Sequence, residues 1–246
     1  YFCCGYYSYK NGHQPDFPGH ASFQGKWVHP QFWPDDLNYA NQKVVVIGSG
    51  ATAVTLVPEM AKTAAHVTML QRSPTYVIAR PSEDTMSLWL QKYLPAKLAY
   101  QITRMKNVLM GMLTYQLARR RPEFVKRYLV KMAAMQLRSE QAAQNFSPKY
   151  KPWDERLCVV PDGDLFKQIR HGKASVVTDT IQSILPHGIQ LDSGQVLEAD
   201  IIVSATGLSL NILGDIEIQV DGRPFKASEQ MAYRGMWLSG LPNAIM

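Results

Sequence analysis

Residues 43–53 read Lys-Val-Val-Val-Ile-Gly-Ser-Gly-Ala-Thr-Ala, and this segment indicates the architecture of the whole chain. The β-branched run Val44 to Ile47 is typical of a strand buried in a parallel sheet. The residues that follow, 48–53, fit the pattern GxGxxG/A between a strand and a helix, which is where that pattern binds a dinucleotide. A second apolar run at 66–70 completes a βαβ unit. The predicted fold class is therefore α/β, with a Rossmann-like domain.

Each position of this glycine loop has its own physical task. Gly48 permits a tight turn, and Gly50 lets the backbone approach a pyrophosphate at the positive end of the helix. Ala53 is small enough for the helix and the strand to pack closely. A tight turn that binds no ligand is the alternative interpretation. The candidate cofactor-binding residues here are Gly48, Ser49, Gly50, Ala51, Thr52 and Ala53, with the Thr52 hydroxyl as a phosphate donor.

The residues at the end of the second strand distinguish between cofactors. Sites for NAD or FAD place an acid there to bind the ribose hydroxyls, but this chain has Gln71-Arg72-Ser73. An arginine suits a 2′-phosphate because its forked hydrogen bonds are charge-assisted. The sequence therefore predicts NADPH rather than NADH, with Arg72 as the phosphate ligand. Ser73 and Thr75 could add hydroxyls, and a plain surface arginine is the alternative for Arg72.

Residues 83–145 are predicted to be helical. Leu98, Ile102, Met105, Leu109 and Met112 repeat at helical spacing and form one apolar stripe. Such a stripe predicts packing against the core, with a substrate-facing role as the alternative. A new helix is expected to start at Pro122, because proline is favoured in the first turn.

The net charge of +6 is concentrated in that helical region. Residues 97–138 contain ten lysines and arginines but a single acid, Glu123. A solvated helix face is the simplest interpretation, and peripheral contact with a membrane surface or a lipophilic partner is the alternative. No nucleic-acid motif accompanies the basic residues, so no nucleic-acid partner is expected.

Cysteine content and hydropathy exclude several classes of protein. Three cysteines without a CxxC pair do not form a disulfide framework, a zinc ribbon or a dithiol redox centre, and no metal is expected. No apolar run approaches the ~18 residues of a transmembrane helix. The first residues do not resemble a signal peptide. We therefore expect a cytoplasmic protein, with peripheral membrane contact through residues 97–138 left open.

Residues 23–34, Phe-Gln-Gly-Lys-Trp-Val-His-Pro-Gln-Phe-Trp-Pro, match the pattern FxGxxxHxxxWP in full. This resembles the fingerprint of Baeyer–Villiger monooxygenases, flavoenzymes that use NADPH and O2. The related flavin-containing monooxygenases share the first half of the pattern but usually end it in Tyr or Phe. Residues 44–58, 67–75, 151–166 and 200–207 also look like this family. Within it, the chain is most similar to the ethionamide-activating monooxygenases of mycobacteria.

The resemblance implies a flavoprotein with two dinucleotide-binding domains. Residues 1–42 correspond to a linker and the edge of the FAD-binding domain, which the family leaves near Cys3-Cys4-Gly5. Residues 43–205 correspond to the NADPH-binding domain with its helical insertion at about 83–145, and residues 206–246 to the return into the FAD-binding domain. The chain has one glycine loop and starts with Tyr. We therefore expect a fragment that lacks the N-terminal FAD-binding loop and the C-terminal end.

The resemblance also implies an activity for the complete parent. That activity is FAD- and NADPH-dependent insertion of one oxygen atom from O2 into a ketone, giving an ester or lactone through a C4a-peroxyflavin. The matching catalytic arginine is Arg156, with a salt bridge to Asp154 or Glu155 as its alternative role. Glu155 departs from the lysine of many relatives at the 2′-phosphate site, which leaves Arg72 as the main candidate there.

Three further residues take roles from the same resemblance. His29 has a conformational role in domain motion, and Thr206-Gly207 resembles a turn that runs close to bound nucleotide.

The expected substrate is a small lipophilic ketone or a thio-compound, together with O2. Two alternative functions are S- or N-oxygenation by the same cofactors, and a non-catalytic NADP(H)-binding module.

Overall fold

The structure is a computed structural model that describes residues 1–3, 5–241 and 243–245. Cys4, which was assigned to the exit from the FAD-binding domain, lies outside the described residues. Pro242 and Met246, within the range 206–246 assigned to the return into that domain, also lie outside them. The chain divides into two compact units. One is Asp16–Ala205, and the other combines Tyr1–Pro15 with Thr206–Met246.

Helices and strands alternate along the chain, which confirms the α/β class. The helices are α1 (Ala51–Met60), α2 (Thr85–Tyr93), α3 (Ala96–Arg120), α4 (Pro122–Leu137), α5 (Glu140–Ala143) and α6 (Asp164–Arg170). The strands are β1 (Tyr7–Gly12), β2 (Lys26–Val28), β3 (Lys43–Ile47), β4 (His66–Gln71), β5 (Tyr76–Arg80), β6 (Leu157–Pro161), β7 (Ala174–Thr178), β8 (Ile181–Leu185), β9 (Gly188–Leu191), β10 (Val196–Glu198), β11 (Ile201–Ser204), β12 (Leu208–Leu210), β13 (Ile218–Val220), β14 (Arg223–Phe225), β15 (Ala232–Tyr233) and β16 (Trp237–Leu238).

A parallel sheet with strand order β2-β11-β3-β4-β7 is the centre of the unit Asp16–Ala205. Val44 and Val46 of β3 pack on the side of the sheet where α1 and α6 contribute buried residues. Val45 and Ile47 pack on the other side, against residues of the antiparallel β8-β9-β10. Both faces of β3 are covered, which is why the strand is a continuous apolar run rather than an alternating one.

The fingerprint segment at 23–34 is part of this unit. The resemblance assigned residues 1–42 to a linker and the edge of the FAD-binding domain, and within them the structure has the strands β1 and β2. Strand β2 pairs in parallel with β11, aligning Val28 with Val203. The partner strand lies far along the chain, so local composition did not indicate the pairing.

Helices α2 to α5 occupy most of the predicted helical region, and the start of α4 at Pro122 confirms the expected helix boundary. Asp84 caps α2 by accepting a hydrogen bond from the Ser87 N–H, and its carboxylate pairs with Lys106 of α3. Among the described helices, none is long and apolar enough to cross a membrane.

The core-packing interpretation of the methionine-rich stripe is wrong. Leu98, Met105, Leu109 and Met112 are 44% to 60% exposed. The buried residues of α3 are Ala99 and Ala118, near its two ends. Helical spacing predicted the helix correctly, but it does not specify whether a partner covers the apolar face.

The unit formed by the chain ends contains β1 paired with β12 and the hairpins β13-β14 and β15-β16. Lys10 and Asp215 form an exposed ion pair at 2.8 Å. The Thr206 hydroxyl donates a hydrogen bond to the His13 carbonyl at 2.6 Å. These contacts join the two chain segments that make up this unit.

Candidate functional site

The turn between β3 and α1 requires glycine at its first position. Gly48 has φ +131°, a region that side-chain-bearing residues rarely adopt. Its N–H donates to the Leu70 carbonyl at 2.8 Å, which ties the turn to β4. A Cβ at this position would lie 2.4 Å from the Ala205 carbonyl oxygen. The backbone therefore passes Ala205, directly after β11, at a distance that leaves no room for a side chain.

Gly50 has a different reason to be glycine. Its φ of −79° is accessible to any residue, and a Cβ built on it would meet nothing within 4 Å. Open space lies beside the backbone at the start of α1, where no side chain among the described residues caps the helix. The first turn of α1 therefore has no side-chain cap, and the helix dipole favours an anion beside its N–H groups.

The remaining loop residues divide by the direction of their side chains. Ala51 and Thr52 are exposed on the first turn of α1, whereas Ala53 is fully buried in the core. The Ser49 hydroxyl is buried and lies 2.9 Å from the Thr75 hydroxyl. The side chains of Ser49 and Thr75 therefore hold the loop to the segment after β4.

The end of β4 places two adjacent polar residues in opposite environments. Gln71 is 1% exposed, and its Nε2 donates to the Asn145 carbonyl at 2.7 Å and to the Thr178 hydroxyl at 2.8 Å. Arg72 and Ser73 are exposed. Gln71 is thus part of the internal packing, whereas the guanidinium of Arg72 is accessible to a ligand.

Arg156 lies in the loop before β6, and its side chain is exposed. Asp154, which the alternative interpretation paired with Arg156, instead forms an ion pair with Arg119 at 2.5 Å. The Arg156 carbonyl accepts a hydrogen bond from the Tyr150 hydroxyl at 2.9 Å. The backbone of the arginine is therefore held while its guanidinium remains accessible.

Two tyrosines that the sequence analysis did not single out support this loop. The Tyr76 hydroxyl donates to the Tyr150 carbonyl at 2.8 Å, and the two rings meet edge to face with centroids 5.3 Å apart. Burial raises the pKa of Tyr76 to about 12, so its hydroxyl stays a neutral donor around neutral pH. No motif in the sequence indicates either residue, because the contact depends on the parallel pairing of β5 with β6.

Cys158 on β6 is buried beneath the glycine loop. Its Sγ lies 3.7 Å from the Ser49 carbonyl oxygen. Burial raises the pKa of the thiol, and nearby Arg156 opposes that shift. Cys158 is therefore a packing residue rather than a reactive thiolate.

The three other residues taken from the resemblance are His29, Thr206 and Gly207. His29 follows β2, and its Nδ1 accepts the N–H of Gln31 at 3.2 Å, which caps the short 3₁₀ helix Pro30–Phe32. Thr206 and Gly207 belong to the unit formed by the chain ends. Gly207 has φ +113°, and a Cβ there would meet nothing within 4 Å.

Comparison with known proteins gives the family. Residues 1–213 match the flavin-binding monooxygenase-like family. The chain belongs to this family. Its membership confirms the resemblance to flavin monooxygenases that the fingerprint and the glycine loop indicated.

Relatives in this flavin-binding monooxygenase-like family are similar over the whole chain. The chain is 51% identical over 245 residues to the "Probable FAD-binding monooxygenase AlmA" of Acinetobacter baylyi, covering 99% of this chain and 49% of that protein. It is 49% identical to the "FAD-containing monooxygenase EthA" of Mycolicibacterium smegmatis, covering 98% of this chain and 49% of that protein. The chain thus spans about half the length of the curated relatives it matches.

Solved structures of flavin monooxygenases share the fold. A steroid monooxygenase bound to NADP aligns with a TM-score of 0.65 at 19% identity, covering 84% of this chain and 46% of that one. A cyclohexanone monooxygenase in its Loose conformation aligns with a TM-score of 0.65 at 18% identity, covering 89% of this chain and 50% of that one. At this level of identity the likeness shows a shared fold and carries no further property to this chain.

Proposed function

We propose that this chain is the NADP(H)-binding part of a FAD-dependent monooxygenase that inserts one oxygen atom from O2 into a small lipophilic ketone. The observation that carries the proposal is the glycine loop. Gly48 makes the close turn, Gly50 leaves open space beside the uncapped start of α1, and an accessible Arg72 follows the neighbouring strand.

These residues fit NADP(H) but do not account for FAD. The space at Gly50 and the free N–H groups suit a pyrophosphate, and Arg72 with Ser73 suits a 2′-phosphate. The chain carries one such loop, and NADP(H) would occupy it. In the complete parent, FAD supplies the redox chemistry and NADPH the hydride.

The chain's own residues bind, orient and supply charge. The exposed guanidinium of Arg156 would supply a fixed positive charge where negative charge develops on oxygen, an effect that depends on preorganisation. The hydrogen bond from Tyr150 preorganises its backbone. His29 holds the 3₁₀ helix after β2 through its Nδ1, which suits a conformational role rather than a chemical one.

Replacing Gly50 by alanine is expected to weaken NADPH binding about 10- to 100-fold, because the methyl group would occupy the space that the pyrophosphate needs. Isothermal titration of the chain with NADPH measures the effect. The free energy of unfolding should change by less than about 1 kcal/mol, since a Cβ there meets nothing and the backbone is unstrained. Unchanged affinity would contradict the placement of the pyrophosphate.

Replacing Arg72 by glutamine is expected to weaken NADPH binding roughly 10-fold or more and to leave NADH binding unchanged. A charge-assisted hydrogen bond contributes ~1.5–3 kcal/mol, and only NADPH carries the 2′-phosphate. Titration of both nucleotides measures the ratio of their affinities. Arg223→Gln, at an exposed arginine of β14, is the matched control. Equal losses for both nucleotides would contradict the assignment.

The activity itself needs a test that separates the candidate functions. The visible absorption spectrum after incubation with FAD and desalting shows whether this chain retains flavin. The parent is then assayed with NADPH and ketones, with ester or lactone detected by mass spectrometry. Formation of sulfoxides without any ester would favour S-oxygenation. Tight NADPH binding with no turnover by the parent would favour a non-catalytic module.

A further inference from the structure

Residues 108–113, in the middle of α3, carry no polar side chain and are all exposed. Residues 107–118 contain no charged side chain. Val108, Met110 and Leu113 are 49%, 58% and 64% exposed. Successive helical residues are rotated by about 100°, so the exposed run from Val108 to Leu113 surrounds the helix. A helix that is apolar all round is normally buried, so this segment requires a partner.

Basic residues flank this apolar segment. Arg104 and Lys106 precede it, and the exposed Arg120 and Arg121 follow it. Over residues 97–138, Glu123 is the single acid against ten lysines and arginines. Lys106 and Arg119 form ion pairs with Asp84 and Asp154, which leaves eight of the ten basic residues against the single acid Glu123. The charge of the surface is therefore complementary to an anionic partner.

Exposed aromatic side chains accompany the basic ones. They are distributed over α2, α3 and the start of α4, the same helices that carry the basic residues and the exposed apolar side chains. Tyrosine and tryptophan favour the headgroup level of a bilayer, because one part of the ring system is apolar and the other is polar. The set consists of Trp89, Tyr93, Tyr100, Tyr115, Phe124 and Tyr128.

We propose that α2, α3 and the first turns of α4 dock on an anionic phospholipid surface, with the apolar middle of α3 inserted among the lipids. The uncharged segment 107–118 is about 18 Å long, too short for a ~30 Å hydrocarbon core, so it would lie in the interface rather than span it. A second copy of the chain would present the same excess of positive charge and be repelled. This inference does not depend on the proposed activity.

Co-sedimentation with phospholipid vesicles tests the proposal on the 246-residue chain. Binding is expected to vesicles that contain phosphatidylglycerol at low salt. It is expected to fall sharply at high salt, because ions screen the attraction, and to be weak with pure phosphatidylcholine. Equal binding to both vesicle types, or no binding to anionic vesicles at low salt, would overturn it.

Two sets of variants separate the electrostatic and the apolar contributions. We expect the triple variant Arg120→Gln, Arg121→Gln, Arg127→Gln to lower the partition coefficient about 100-fold. Each basic residue near the membrane surface contributes a factor of roughly five, and the three factors multiply. The control Lys26→Gln, Lys149→Gln and Lys173→Gln makes the same change of net charge at exposed sites outside α2–α4. A similar loss of vesicle binding in both triple variants would show that binding depends on net charge and not on the position of the basic residues. That result would overturn the proposed docking surface.

Met110→Gln with Leu113→Gln tests insertion. Both side chains are exposed, so the circular dichroism spectrum should not change, while vesicle binding should fall at least 10-fold. A tryptophan introduced by Leu113→Trp should be quenched by brominated lipid. Absence of quenching in a vesicle-bound chain would overturn insertion. A concentration-dependent dimer that the Gln pair abolishes, without vesicle binding, would assign the surface to a second copy instead.

Discussion

Replacing Gly48 by alanine is expected to lower the free energy of unfolding of the unit Asp16–Ala205 by about 4 kcal/mol. Two costs combine. Alanine adopts a backbone φ of +131° only with strain, and its Cβ would lie 2.4 Å from the Ala205 carbonyl oxygen. Relief would require β11 or the turn to move. Urea denaturation followed by circular dichroism measures the change.

Gly50→Ala is the matched control, two residues further along the same loop. Its Cβ meets nothing and its φ is ordinary, so its free energy of unfolding should stay within about 1 kcal/mol of the original chain. The pair thus separates the effect of a glycine that the fold requires from the effect of one that we propose for nucleotide binding. If both variants were equally stable, the close approach of the turn to β11 would not exist in solution.

Replacing Arg156 by alanine in the complete parent is expected to lower ester formation about 10²- to 10³-fold, the usual effect of removing one preorganised stabilising group. The dissociation constant of NADPH should change little, because the 2′-phosphate is assigned to Arg72. Product formation by mass spectrometry and nucleotide titration measure the two effects. Arg156→Lys should recover part of the activity, since the positive charge is retained.

A neighbouring lysine supplies the comparison for Arg156. Lys149 is exposed and carries the same charge, seven residues earlier in the chain. Lys149→Ala should leave ester formation within about threefold of the original if the position, and not the local charge, is what counts. Turnover by Arg156→Ala at the original rate would remove the catalytic role from this residue.

The nucleotide-binding fold was predictable from residues 43–72. A strand covered on both faces must be a continuous apolar run, and a strand-to-helix turn that passes another strand closely must use glycine. Val44 to Ile47 and Gly48 satisfy these requirements locally, so the sequence alone revealed the βαβ unit. The fingerprint at 23–34 identified the family for a similar reason, because its residue types and spacing are specific.

Long-range pairing set the features that the sequence did not reveal. The sequence placed Gln71 and Arg72 side by side, and the packing of the 3₁₀ helix at 144–146 and of β7 against β4 buries one and leaves the other exposed. Tyr150, whose hydroxyl holds the Arg156 carbonyl, is itself held by the Tyr76 hydroxyl of β5, which lies 74 residues earlier in the chain.

The methionine-rich stripe of α3 shows the same distinction between local and long-range information. Its spacing specifies a helix, because hydrogen bonds within a helix are local. Its burial depends on which surface lies opposite, and that partner is set by the tertiary structure rather than by the spacing. Residue types and spacing therefore determined the helix, the strands and the glycine turn. Tertiary packing determined which polar and which apolar side chains remain exposed, because contacts between distant segments leave no periodic pattern in the sequence.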